Sequence, residues 1–284
     1  MTSIHAASLR NWLSGVPSRA IACSGGVDSM LLATIAHRQD PAGTLVVHDV
    51  TPAVPPAATA RVVQHADDEG WRLRLIRSAE FEDERYLSNP RNRCYLCKSH
   101  LYDTMADVVA ETAADFDAVL LSGANLDDLG EYRPGLRAAA EHAVRHPYVE
   151  LAIGKADIRS LATSLDLNFA DLPASPCLAS RLYTGTRVTP TLLRAVDVGE
   201  ELLRSRAGIA VVRCRLEQTM VRVEVPAADR PRVTGVTLDA VFATMRSIAP
   251  TLTGIELDSR DYQPGRAFTL TPLTTAPHLE STSA

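Results

Sequence analysis

The chain has 284 residues, of which 46% are hydrophobic, enough to bury one substantial core and a smaller second one. Its formal net charge of −5 argues against wrapping of long nucleic acid, and no run approaches about 18 uninterrupted apolar residues, so neither a leader peptide nor a membrane span is expected. Five cysteines, an odd number, supply no disulfide framework and point to a reducing, cytoplasmic setting.

The short apolar run Ile21-Ala22-Cys23 reads as a strand. Directly after it come Ser24-Gly25-Gly26-Val27-Asp28-Ser29, and then helix-like residues 30–38. Two glycines let the backbone turn tightly and bring successive N–H groups toward an anion, and the following helix points its positive end at the same place. Ser24 and Ser29 add hydroxyl donors, while Asp28, which would repel a phosphate, makes sense as the ligand of a bridging Mg²⁺. The plain alternative is a glycine turn with Ser24 as helix N-cap. A strand before and a helix after favour the phosphate site.

The loop resembles the SGGxDS motif of the ATP pyrophosphatase (PP-loop) superfamily, whose members split ATP between the α and β phosphates. No lysine follows the glycines, unlike the ordinary P-loop. The resemblance therefore implies transfer of AMP rather than loss of the γ-phosphate.

Strand and helix patterns continue to alternate: a strand at 44–50, a helix at 56–69 stopped by Gly70, an apolar run at 71–76, a helix at 101–114 and a buried strand at 118–121. Such alternation predicts an α/β fold with a parallel sheet and helices on both faces. Ligands of these sheets lie beyond the carboxyl ends of the strands, where the Ser24 loop and the turn Ser122-Gly123-Ala124-Asn125 would share a crevice. Asn125, Asp127 and Asp128 resemble the GxNxDD turn of the same superfamily, although acidic surface turns are common. The pattern changes after residue 176. A helix at 189–206 with Thr189 as N-cap and Pro190 at its first position precedes strands at 211–216 and 220–225, a helix at 238–248 and a strand at 253–258. We expect a nucleotide domain over residues 1–186, a smaller α+β domain over 187–270 for substrate binding or oligomerisation, and a flexible tail over 271–284.

Cys23 and Cys214 sit in apolar strands and read as core. Cys94, Cys97 and Cys177 instead lie in polar, arginine-flanked stretches where positive charge favours thiolate. By spacing alone they suit zinc, completed by His100, and a [4Fe-4S] cluster with one open iron about equally, with no metal at all somewhat behind.

Several strings match the LarE family in order and spacing: Glu131 to Glu141, Gly154 to Arg159, Cys177 to Arg181, Val212 to Arg215, together with the Ser24 loop and Arg93 to Lys98. The chain resembles that family over roughly residues 15 to 260. The family pattern has Asp where this chain has Glu131. The resemblance implies a Rossmann-like PP-loop domain and an ATP-dependent sulfur transferase acting on pyridinium-3,5-biscarboxylic acid mononucleotide during assembly of the nickel pincer cofactor. Implied ATP-binding residues are Ser24, Gly25, Gly26, Asp28, Ser29, Gly123, Asn125 and Asp128, with Lys98 neutralising departing pyrophosphate. Implied substrate contacts are Ser180, Arg181, Glu201, Arg213 and Arg215, the last two sharing a strand face where they could clamp an anion. Family members with a single cysteine at the Cys177 position sacrifice its sulfur. Those with three, as here, are implied to hold a [4Fe-4S] cluster on Cys94, Cys97 and Cys177, reloaded by a sulfur donor. No nucleic-acid partner is expected, and a homo-oligomer is. The alternatives are a tRNA thiolase, an ammonia-dependent synthetase of the same superfamily, or, in a different class, a non-catalytic nucleotide-binding or iron-sulfur carrier protein.

Overall fold

The computed structural model of the protein describes residues 2–112, 116–130, 134–263 and 265–268. The expected end of a helix at residue 114, the Glu131 position and the tail 271–284 lie outside the described residues.

Helix α1 (Thr2–Ser14), for which the sequence offers no motif, leads into strand β1 (Arg19–Ala22), helix α2 (Val27–Gln39), β2 (Thr44–Asp49), α3 (Pro56–Glu69) and β3 (Leu73–Ile76). Gly70 ends α3 with φ 71°, a left-handed conformation that glycine takes without steric cost. Next come α4 (Glu84–Leu87), α5 (Arg93–Thr112), β4 (Val119–Ser122), α6 (Pro134–Glu141), α7 (Pro147–Glu150) and α8 (Lys155–Ser164). The strands form a four-stranded parallel sheet in the order β3-β2-β1-β4. Its two faces bury different side chains of β1. Ile21 joins Leu13, Met30, Leu31, Val62 and Leu161 on one side, whereas Ala20 and Ala22 join Leu101, Met105, Leu120 and Ala138 on the other. The chain moves outward from β1 through β2 to β3 and then returns to β4 on the opposite side of β1. This reversal opens a crevice at the carboxyl ends of β1 and β4.

The later residues form α9 (Pro190–Ala207), β5 (Arg213–Glu217), β6 (Met220–Glu224), α10 (Gly235–Ile248) and β7 (Gly254–Leu257). Thr189 caps α9 as its composition predicts, its Oγ1 accepting the Leu192 N–H at 3.2 Å. Strands β5 and β6 are the expected antiparallel hairpin, and β7 adds parallel to β6. Their core takes in Ala53, Tyr86 and Leu96 from the earlier half. Backbone bonds join the same regions: the Leu178 N–H donates to Ala53 O at 2.8 Å and the Val188 N–H to Leu87 O at 2.9 Å. Asn89, buried and at φ 56°, donates to the carbonyls of Tyr183 and Thr186, both at 2.8 Å.

Two elements differ from the sequence reading. Helix α5 begins at Arg93 rather than residue 101, so Cys94 and Cys97 lie on its opening turns. Strand β5 is buried on both faces, with Arg213 and Arg215 as inaccessible as Cys214 and Leu216, because the segment before α9 and the chain after β7 close over its second face.

Candidate active site

The Ser24 loop stands between β1 and α2, at the crevice. Gly25 adopts φ +79°, and a Cβ there would lie 2.9 Å from Ala58 O, so the turn requires glycine on both counts. Gly26 is the N-cap of α2 and no side chain caps that end, which leaves opening N–H groups of the helix for an anion. Ser29 turns inward: its Oγ lies 3.0 Å from Ser24 N, 3.1 Å from Ser24 Oγ and 3.2 Å from Gly26 O. It ties the loop closed, while Ser24 stays exposed.

The turn after β4 locks onto this loop. A Cβ on Gly123 would lie 2.8 Å from Ser29 N and 3.0 Å from Asp28 C, so only glycine allows so close an approach. Fully buried Asn125 donates through Nδ2 to Asp28 Oδ2 at 2.9 Å, and its Oδ1 accepts the Asp127 N–H at 3.0 Å. Asp128 accepts the Asn125 N–H at 3.1 Å and pairs with Lys155 at 3.2 Å. Burial, and then the charge of Asp128, raise the Asp28 pKa; Lys155, Asn125 and Arg159 oppose them. Asp28 and Asp128, joined through Asn125 beside the uncapped start of α2, are oxygen donors of the kind a divalent cation takes.

Cys97 faces the second core beside Leu96, and burial pushes its thiol up although Lys98 opposes the shift. Cys94 and Cys97 are both half-buried and Cys177 is exposed. Cys97 and Leu178, the residue after Cys177, pack into the same second core, and Cys94 and Cys177 both act electrostatically on Cys97. Among the described residues, no three His, Cys, Asp or Glu side chains are gathered as a ready single-ion site. His100, the fourth ligand of a zinc reading, instead bonds Asp83 at 3.0 Å. Next to Cys97, Lys98 lies over the Tyr102 ring at 5.7 Å; burial lowers its pKa, but Tyr102, Cys97, Asp49 and Cys94 together outweigh that. Lys98 also acts on His146, whose Nδ1 lies 2.8 Å from Ser122 Oγ at the end of β4.

The loop bearing Cys177 is gripped by Arg181. Its Nη1 donates to Pro176 O at 2.6 Å, Cys177 O at 3.2 Å and Ser180 Oγ at 3.2 Å, while Nε and Nη2 hold Glu200 at 2.9 and 3.0 Å. Glu200 also accepts from Arg204 at 3.0 Å and Cys214 N at 3.1 Å. Glu201, by contrast, is 71% exposed and pairs with Arg204 at 3.1 Å. The acidic residue that α9 brings into this cluster is therefore Glu200. It lies in the buried stripe Val196, Gly199, Glu200, Leu203, a helical periodicity legible in the sequence. Arg215 is internally neutralised by Glu224 at 3.0 Å and donates to Ser180 O at 3.0 Å and Gln263 O at 3.1 Å. Arg213 bonds Val212 O at 2.8 Å and Ala174 O at 3.1 Å and lies 5.4 Å over the Tyr262 ring. Among the described residues no carboxylate is within ion-pair distance of Arg213, and burial and then Arg181 lower its pKa.

A parallel α/β sheet with a Ser-Gly-Gly-Val-Asp-Ser turn at its reversal point defines a Rossmann-like fold of the PP-loop type. No family model matches the chain. It is 34% identical over 260 residues to an uncharacterized protein of Synechocystis sp., spanning 91% of this chain and 95% of that one. An uncharacterized protein of Methanocaldococcus jannaschii is 30% identical over 185 residues, 65% of this chain and 69% of its own. The pyridinium-3,5-bisthiocarboxylic acid mononucleotide synthase of Lactiplantibacillus plantarum is 28% identical over 214 residues, 73% of this chain and 74% of its own. The chain belongs to the LarE-like family.

Proposed function

We propose that this protein is an ATP-dependent sulfur transferase that converts carboxylates of pyridinium-3,5-biscarboxylic acid mononucleotide to thiocarboxylates. The observation that carries the reading is the opening of α5. There Cys97 faces the second core beside the Cys177 loop, and the adjacent Lys98 acts toward Asp49 and His146 at the carboxyl ends of the sheet. On this reading helix α5 carries the thiols beside the crevice that would receive the nucleotide. The synthase among the relatives, named for the bisthiocarboxylic product, supports the same substrate class.

A carboxylate is a poor acyl donor, because oxide is a poor leaving group. Transfer of AMP from ATP makes that oxygen part of a leaving group, and a sulfur nucleophile then displaces AMP. In this reading residues 1–186 activate the substrate and 187–270 complete its binding. Ser24, Gly25 and Gly26 receive the triphosphate at the start of α2, and Asp28 and Asp128 would hold Mg²⁺. Ser29, Gly123 and Asn125 keep the two turns together, and Lys98 stabilises departing pyrophosphate as a point charge. Arg181 and Ser180 fix the Cys177 loop, and Arg213 and Arg215, both closed off from solvent, support it from within through Ala174 O and Ser180 O rather than meeting the substrate directly.

Three thiols with His100 engaged elsewhere fit a [4Fe-4S] cluster on Cys94, Cys97 and Cys177 better than a closed four-ligand zinc site. Such a cluster, when bound, would supply the sulfide, and an external donor would reload it. The exposure of Cys177 favours a second reading, in which that residue gives up its own sulfur and becomes dehydroalanine. Anaerobic purification with iron, sulfide and visible-absorbance analysis, followed by intact mass after turnover, separates them. Repeated turnover at unchanged polypeptide mass supports the cluster; stoichiometric loss of H₂S from Cys177 supports the sacrificial route. Pyrophosphate release that requires tRNA or ammonia would contradict both.

A further inference from the structure

Helix α3 holds the phosphate loop from outside. Arg61 reaches across from it and donates through Nη1 to Gly25 O at 2.7 Å. In a trans peptide the C=O and the following N–H point in opposite directions. With the Gly25 carbonyl turned toward α3, the Gly26 N–H is turned away from it, to the side where Ser24 Oγ lies 3.5 Å off. The packing of Ala58 against Gly25 keeps α3 at this distance. A second brace runs through buried His48, whose Nδ1 lies 2.7 Å from Cys23 O and Nε2 2.9 Å from Thr59 Oγ1 on α3.

Arg61 is half-buried, and among the described residues no carboxylate lies within ion-pair distance of it. Burial accordingly lowers its pKa. A guanidinium in that position spends its charge on a backbone carbonyl. The benefit lies in the loop, because a peptide flanked by two glycines flips with little steric penalty, and a flipped one would present carbonyl oxygen to an anion.

We propose that Arg61 is a positioning residue for ATP, holding the Gly25–Gly26 peptide with its N–H toward the triphosphate. The inference rests on the ATP reading given above. It names a residue outside the Ser-Gly-Gly-Val-Asp-Ser motif that sets the motif's anion-binding conformation. Removing it costs a charge-assisted bond and frees the peptide, so Mg-ATP should bind about tenfold more weakly or worse. Adenosine, which has no phosphate to meet the loop, should bind unchanged.

The test is calorimetric titration of Mg-ATP and of adenosine into wild type, Arg61→Ala, Arg61→Met and Arg61→Lys. Methionine keeps much of the aliphatic stem, so the comparison stands if the alanine variant does not fold. The expected result is weakened Mg-ATP binding with intact adenosine binding in Ala and Met, and recovery of most of the loss in Lys, which restores a donor and a charge. Mg-ATP binding at wild-type affinity in Arg61→Met would overturn the inference. Equal losses for Mg-ATP and adenosine would overturn it too, by making Arg61 a general structural support. A wild type that binds no Mg-ATP would overturn the ATP reading and this inference with it.

Discussion

A single methyl group added at Gly123 tests how the two turns of the crevice fit together. The Cβ of Gly123→Ala would lie 2.8 Å from Ser29 N, 2.9 Å from Ser29 Cα and 3.0 Å from Asp28 C. All three are backbone atoms of the first turn of α2, so no rotamer change relieves the contact. An ordinary carbon contact is near 3.5 Å, so the turn and the helix must part by roughly 0.7 Å. The backbone of Gly123 is not left-handed, so the cost comes from this contact alone. Overpacking of this kind costs about 1–3 kcal/mol. The same displacement moves the phosphate loop relative to Asn125 and Asp128, and an error near 1 Å in a reacting site costs on the order of 100-fold in rate. Urea unfolding should therefore show a modest loss of stability, and ATP-driven pyrophosphate release should fall far more than stability does. Wild-type stability and wild-type release together would refute the tight junction described between β4 and α2.

Arg215→Leu should destabilise the protein by about 3 kcal/mol, the lower end of the range for breaking a buried ion pair, because Arg266 still bonds Glu224 at 2.9 Å; urea titration reads this directly. Burial and Asp128 raise the Asp28 pKa, so ionising Asp28 costs the folded state stability as pH rises through the ordinary carboxylate range. Asp28→Asn should then melt higher than wild type at neutral pH and level with it in acid, while losing Mg²⁺-dependent adenylation; a lower melting temperature at neutral pH would contradict that sign. Brief alkylation of the native protein freed of any metal should label Cys177 and spare Cys23, whose thiol burial pushes up to about 11, along with Cys214. Peptide mapping that finds Cys23 or Cys214 labelled as fast as Cys177 would contradict the burial of those two residues.

Where local chemistry fixes an element, the sequence was enough. Pro56 and Gly70 bound α3 as read, and Thr189 with Pro190 opens α9 as read. The Ser24 loop was legible because glycine, hydroxyl and carboxylate at that spacing have few other uses after a strand. Residues whose role depends on partners distant in sequence were less legible. Nothing near Arg215 foretells Glu224, nor does the spacing of Cys94 and Cys97 say that α5 starts early enough to carry both on its opening turns. Period-two alternation placed Arg213 and Arg215 on one face but could not reveal that both faces of β5 are covered. Glu200 differs: helical periodicity carries the signal that it, and not the Glu201 named from the resemblance, faces inward.

Incubation of the anaerobically purified protein with ATP, Mg²⁺ and pyridinium-3,5-biscarboxylic acid mononucleotide, with mass spectrometry of nucleotides and product together, tests the central claim. The account predicts AMP and pyrophosphate formed in step with a product in which sulfur replaces a carboxylate oxygen, and no such product without ATP. Formation of ADP and phosphate, or of AMP with no sulfur entering the product, would contradict it.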